Sequence, residues 1–147
     1  MANIELTNLT KRFGALTAVD GLDLSIPGGE LFGLVGSDGA GKTTTLRMLT
    51  GVLDATDGSA TVLGCPCASL EPVRDRIGYM SQRFGLYPDL TVLENIRFHA
   101  DIFGVAKAQW QPRAELLLNM SGLAPFVRRR AGALSGGMKQ KLGLCCA

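Results

Sequence analysis

Glu30-Leu31-Phe32-Gly33-Leu34-Val35 runs without a break into Gly36-Ser37-Asp38-Gly39-Ala40-Gly41-Lys42-Thr43, and the reading of this stretch decides the fold. An almost continuously apolar run is what a strand buried on both faces of a parallel sheet requires. The residues after it fit G-x-x-x-x-G-K-[ST] without a mismatch. Placed between a buried strand and a helix, here Lys42 to about Leu49 with Gly51 as its stop, that pattern is a phosphate-binding loop. Its glycines let successive backbone N–H groups curl round an oxyanion, and the helix N-terminus adds partial positive charge. Lys42 supplies a full charge to the outer phosphates and Thr43 a hydroxyl to Mg²⁺. Read without a ligand, the same residues are a glycine-rich turn from strand to helix.

Outward from the loop, Ile4–Leu9 alternates as a half-buried strand, and Leu22, Leu24 and Ile26 repeat the pattern after a turn placed around Asp20-Gly21. The two runs are expected to pair antiparallel. Thr61–Leu63 and Ile77–Met80 read as further strands, with a short helix over Leu70–Arg76 between them. From Thr91 the period becomes helical: Leu93, Ile96, Ala100 and Phe103 recur at three and four, and Thr91 with Glu94 forms a capping box. A second helix is expected from about Lys107 to Asn119. No repeat or linker divides the chain.

The composition bounds the rest. The chain has 147 residues, 46% hydrophobic and 19% charged, with a formal net charge of +2. That suits one folded domain. The charge is too small and too scattered for a nucleic-acid footprint, so no nucleic-acid partner is expected. Met1–Gly14 lacks the pattern of a secretory signal, and no apolar run approaches a membrane span. A cytoplasmic location is expected. The cysteines fall as Cys65-Pro66-Cys67 and Cys145-Cys146, spacings that suit ordinary thiols better than zinc. His99 is the one histidine and reads as a helix-surface residue.

Leu134-Ser135-Gly136-Gly137-Met138-Lys139-Gln140 adds a second motif, a serine and two glycines ahead of a helix. Taken by itself, Ser135 is equally a plain helix cap. Together the two motifs resemble the phosphate loop and the signature sequence of ATP-binding cassette (ABC) proteins. The specific resemblance is to the ATPase domain of bacterial multidrug-type exporters. It implies an α/β fold, a P-loop NTPase core with an N-terminal antiparallel β subdomain and a helical signature subdomain. One partial domain over 1–147 is expected, the β subdomain and core over about 1–90 and the helical part over 91–147.

The resemblance also implies roles. ATP and Mg²⁺ are the expected ligands, held by Gly36, Ser37, Asp38, Gly39, Ala40, Gly41, Lys42, Thr43 and Thr44. Phe13 falls where the family stacks an aromatic ring on adenine; its alternative is a core phenylalanine. Gln82 matches the glutamine that approaches the metal and the attacking water; its alternative is a loop glutamine. Lys42 and Gln82 are the catalytic candidates, Thr43 and Gln82 the metal ligands. Ser135, Gly136 and Gly137 would face the nucleotide of a second cassette in a dimer. The segment Phe84–Asn95 resembles the part that meets a transmembrane permease subunit, which would hold the protein on the inner face of the membrane. Ser37-Asp38 departs from the family's usual proline and asparagine. The family continues into an apolar strand ending in Asp-Glu, so the chain is expected to be an N-terminal part, cut before the Walker B strand. With no acidic residue after Glu115, ATP hydrolysis, the family's reaction, is not expected of this stretch alone. The alternatives are a nucleotide-binding remnant without turnover, or a cassette ATPase of DNA repair or translation.

Overall fold

The computed structural model describes residues 2–81 and 85–147. They divide into two units, Met1–Ile77 and Gly78–Ala147.

In the first unit the alternating runs pair as expected, and each strand outgrows its alternation. Strand β1 spans Ala2–Phe13 and β2 spans Leu16–Pro27, antiparallel, with Ile4 opposite Ile26 and Leu6 opposite Leu24. The hairpin does not turn at Asp20-Gly21. It turns at Gly14-Ala15, where Gly14 has φ +58°, and β2 runs through Asp20-Gly21. The reason is a bulge: the register shifts on both sides of Leu9, and the Gly21 N–H donates to the Thr10 hydroxyl at 3.0 Å. An irregularity that looks like a turn in sequence is absorbed inside a long ladder. Strand β3 spans Asp57–Val62 and β4 Cys65–Pro66, completing a sheet of order β2-β1-β3-β4, antiparallel throughout. Helix α1, Lys42–Leu49, has the bounds read from sequence. Its Met48 and Leu49 pack with Leu6, Leu9, Val19 and Val62 of the sheet and with Leu70 and Val73. Leu70–Arg76 was expected as a short helix and is a 3₁₀ helix over Glu71–Arg76, with a proline in its first turn.

Two expected strands are absent. Glu30–Val35 forms no strand; Leu31 is 100% and Val35 93% exposed. Ile77–Met80 is likewise unpaired, with Tyr79 and Met80 exposed. A run of this kind becomes a buried strand only when ladders flank it on both sides, and among the described residues no strand pairs with either.

The second unit is helical. Helix α2, Val92–Ile102, starts at the Thr91/Glu94 capping box, both arms of which are present. Helix α3 spans Lys107–Ser121 and ends on Gly122 at φ +73°. Helix α4 spans Gly136–Cys146 behind its N-cap Ser135. Val92, Ile96, Ala114, Leu118, Leu123, and Leu142 meet in one core, so all three helices bury an apolar side against each other.

Candidate functional site

The glycine-rich loop owes its shape to two left-handed residues, Gly39 at φ +83° and Gly41 at φ +81°. They differ in kind. A Cβ on Gly39 would meet open space, whereas on Gly41 it would be driven into the Ala18 carbonyl oxygen and against Val19. Only glycine lets the loop lie on β2 at that point. Ser37 and Ala40 close a turn, Ala40 N–H to Ser37 O at 3.2 Å, with Asp38 and Gly39 at its corners. The start of α1 is fixed from below: the Thr45 amide and hydroxyl both donate to Gly41 O, at 2.8 and 3.1 Å. Gly41 caps α1 without a side chain, and the first turn carries no acidic residue. No acidic side chain of the helix's own first turn therefore offsets its positive end.

Lys42 folds its ammonium back over the loop, donating to Gly36 O at 2.7 Å and Ser37 O at 2.6 Å. Thr43 is exposed and Thr44 half-buried. These residues fit a phosphate chain: the glycines give the backbone room, and one lysine already points into the loop it would share with an anion. They fit Mg²⁺ only as a passenger of such a chain. Thr43 offers one hydroxyl, and among the described residues no group of three His, Cys, Asp or Glu side chains is placed to hold a cation.

Phe13 ends β1 opposite Leu16 and is 48% exposed, with the Lys11 ammonium 5.2 Å from its ring centre. Lys11 is itself held by Asp54 O at 2.6 Å. The ring is thus on the surface, not in the core. Gln82 lies outside the described residues, as does Phe84 at the head of the expected partner-facing segment.

The second motif lies in the other unit. The Ser135 hydroxyl accepts from the Met138 amide at 3.4 Å, and the Ser135 carbonyl from the Lys139 amide at 2.9 Å. It caps α4 as a serine does. Gly136 and Gly137 are exposed, and a Cβ on either would meet nothing, so the first turn of α4 presents bare backbone while Leu134 anchors it in the core.

Sequence reading missed what holds this turn in place. The strap from Val127 to Gly132 is laced to the start of α2 and the loop before it. Leu93 N–H donates to Val127 O at 3.1 Å, Val92 to Arg129 at 2.9 Å, Ala131 to Leu90 at 2.8 Å and Gly132 to Pro88 at 2.8 Å. Inside the loop sits Asn95, fully buried. Its Oδ1 accepts from Tyr87 N–H at 2.8 Å, and its Nδ2 donates to Tyr87 O at 3.1 Å, Leu90 O at 3.2 Å and Thr91 O at 2.9 Å. Tyr87 also meets Phe98 edge-on at 4.4 Å. The one signal for Asn95 was its position, three residues after Val92 and beside Ile96, on the face that must be buried.

Glu94 receives the Thr91 backbone N–H, which holds its carboxyl below the usual range. Burial, and then the neighbouring Cys145, push the Cys146 thiol up to about 12, so it stays protonated at neutral pH. Burial raises Cys67 as well. His99 lies half-buried on α2 with Nδ1 2.9 Å from Asn95 O.

The sequence pattern of a family described as ABC transporter matches residues 19–147. The chain is 49% identical over 99% of its length to the probable multidrug ABC transporter ATP-binding protein YbhF of Escherichia coli, of which it covers 26%. It is 40% identical over 98% of its length to the spermidine/putrescine import ATP-binding protein PotA of Rubrobacter xylanophilus, of which it covers 38%. Among solved structures, the ATP-binding subunit of an ABC transporter superposes with a TM-score of 0.83 at 28% identity, covering 98% of this chain and 60% of that one. The chain thus spans well under half of the first of these relatives, and the expected fold class holds.

Proposed function

The chain belongs to the ABC transporter family, and we propose from that membership that it is the nucleotide-binding part of a transporter ATPase, taking MgATP on the loop Gly36–Thr44. The observation that carries this reading is the loop itself: left-handed Gly39 and Gly41, a helix whose first turn carries no acidic residue, and an ammonium folded over the same carbonyl-rimmed turn. Backbone amides take the phosphate oxygens, Lys42 adds a full charge and Thr43 an oxygen for the metal that arrives with the nucleotide. Bound MgATP supplies the phosphoryl group whose transfer to water the family catalyses. Phe13 offers an exposed ring to a base, and Gln82 keeps the role its place in sequence suggests.

The finer reading is export through a membrane permease subunit, with Ser135, Gly136 and Gly137 facing the nucleotide of a second cassette. Export rests on the likeness to YbhF; the import protein PotA matches less closely. Among the described residues no helix is long and apolar enough to cross a membrane. Attachment to the inner face through the permease partner is part of the same proposal.

Calorimetric titration with MgATP tests the core of the proposal. Lys42→Ala removes a charge-assisted hydrogen bond worth roughly 1.5–3 kcal/mol, so affinity should fall about 10- to 150-fold. Lys42 bonds only to carbonyls at the surface, so the urea midpoint should hardly move. Equal affinity in both proteins would end this reading of the loop.

A further inference from the structure

Asp38 is the one acidic residue between Glu30 and Asp54, and it sits at a corner of the turn that closes the phosphate loop. Its carboxylate is exposed. The ion pairs of the described residues are Arg12–Asp57, Arg74–Glu71 and Arg97–Asp101, so among the described residues no cation pairs with it. The lysine of the same loop is directed to Gly36 O and Ser37 O. A loop built to attract a polyanion therefore carries one fixed positive and one fixed negative side chain.

We propose that Asp38 makes this loop select metal-bound over metal-free nucleotide. The inference rests on the reading of the loop as an ATP site. Fully ionised ATP carries four negative charges and MgATP two. Among the described residues Thr43 offers the cation one hydroxyl, and no group of three His, Cys, Asp or Glu side chains stands ready to hold it. Mg²⁺ bound to the nucleotide lowers the charge that faces Asp38. At roughly 6–10 Å in a medium close to water, each unit of charge opposite a carboxylate changes a binding constant about two- to threefold at low salt. The two charges removed by Mg²⁺ together amount to about four- to tenfold. Lys42 and the loop amides prefer the more highly charged form, so Asp38 opposes them and shifts the balance toward MgATP.

The test is calorimetric titration of the 147-residue chain with ATP at low salt, once in excess Mg²⁺ and once in EDTA, for the parent, Asp38→Asn, Asp38→Glu and Lys42→Ala. Asp38→Asn should tighten both forms, metal-free ATP more, so that the ratio of the two dissociation constants falls about four- to tenfold. Asp38→Glu, which keeps the charge, should retain most of the parent ratio. Raising the salt to 0.5 M should erase most of the difference between the parent and Asp38→Asn. A ratio unchanged in Asp38→Asn, while Lys42→Ala still weakens binding, overturns the role of Asp38 and leaves the ATP site standing. Binding indifferent to Lys42→Ala overturns both.

Discussion

The Asn95→Asp variant will lose about 3–5 kcal/mol of stability at neutral pH, the range for a buried charge left without its partner. The buried amide donates to the carbonyls of Tyr87, Leu90 and Thr91 and accepts one N–H from Tyr87. A carboxylate of the same shape points a negative oxygen at three carbonyls and keeps only the one donor. Its pKa in the folded state is thereby raised above the unfolded value of about 3.9. The sign follows: the loss is smallest below that value, where the acid is protonated in both states, and grows as pH rises toward the folded pKa. Asn95→Leu removes the same bonds without adding charge and should cost less, about 2–3 kcal/mol, with no such pH dependence. Urea unfolding followed by the fluorescence of Trp110, the one tryptophan, reports on the unit that contains both residues. Equal losses for the two variants at pH 7 would mean that the amide is not holding the loop.

Gly41→Ala should be nearly as damaging, and in the other unit. The residue adopts φ +81°, and its new Cβ would meet the Ala18 carbonyl, part of the β2 backbone and unable to swing away. Left-handed backbone costs roughly 1–2 kcal/mol and the overpacking roughly 1–3 kcal/mol more, about 2–5 kcal/mol together. Any relief comes from shifting the start of α1 away from the sheet, which also spoils the aim of the loop amides, so MgATP affinity should drop more than 100-fold, the equivalent of about 2.8 kcal/mol. Gly39→Ala is the internal comparison. It has nearly the same φ, +83°, but open space at its Cβ, so only the backbone strain of about 1–2 kcal/mol applies. Scanning calorimetry with nucleotide titration separates the two, and similar losses in both variants would show that contact with Ala18 does not matter.

What could be read in advance was local. Helix α1, the Thr91/Glu94 box and the cap at Ser135 all depend on residues within a few positions of one another, and each was legible. The hairpin was legible as a pair but not in its turn, because Asp20-Gly21 has turn chemistry and a neighbouring strand long enough to absorb it. Glu30–Val35 failed for a different reason. Its apolarity says what such a segment would do between two strands, not whether those strands are at hand. Asn95 was missed because its partners are backbone groups, and no side-chain pattern announces a carbonyl. As for the site, the glycine-rich loop and the helix it opens could be marked out in sequence, while the strap beside the Ser135 turn joins segments far apart in the chain and has no sequence signature.

That strap has a mechanical consequence. A segment joined to its neighbour by one bond can hinge; one joined at Pro88, Leu90, Arg129 and Val127 slides only if several bonds break together. The cross-bonds end where Gly132 N–H meets Pro88 O, three residues before Ser135. The segment that leads into the cap of α4 is therefore anchored to the loop at Pro88 rather than free along its length.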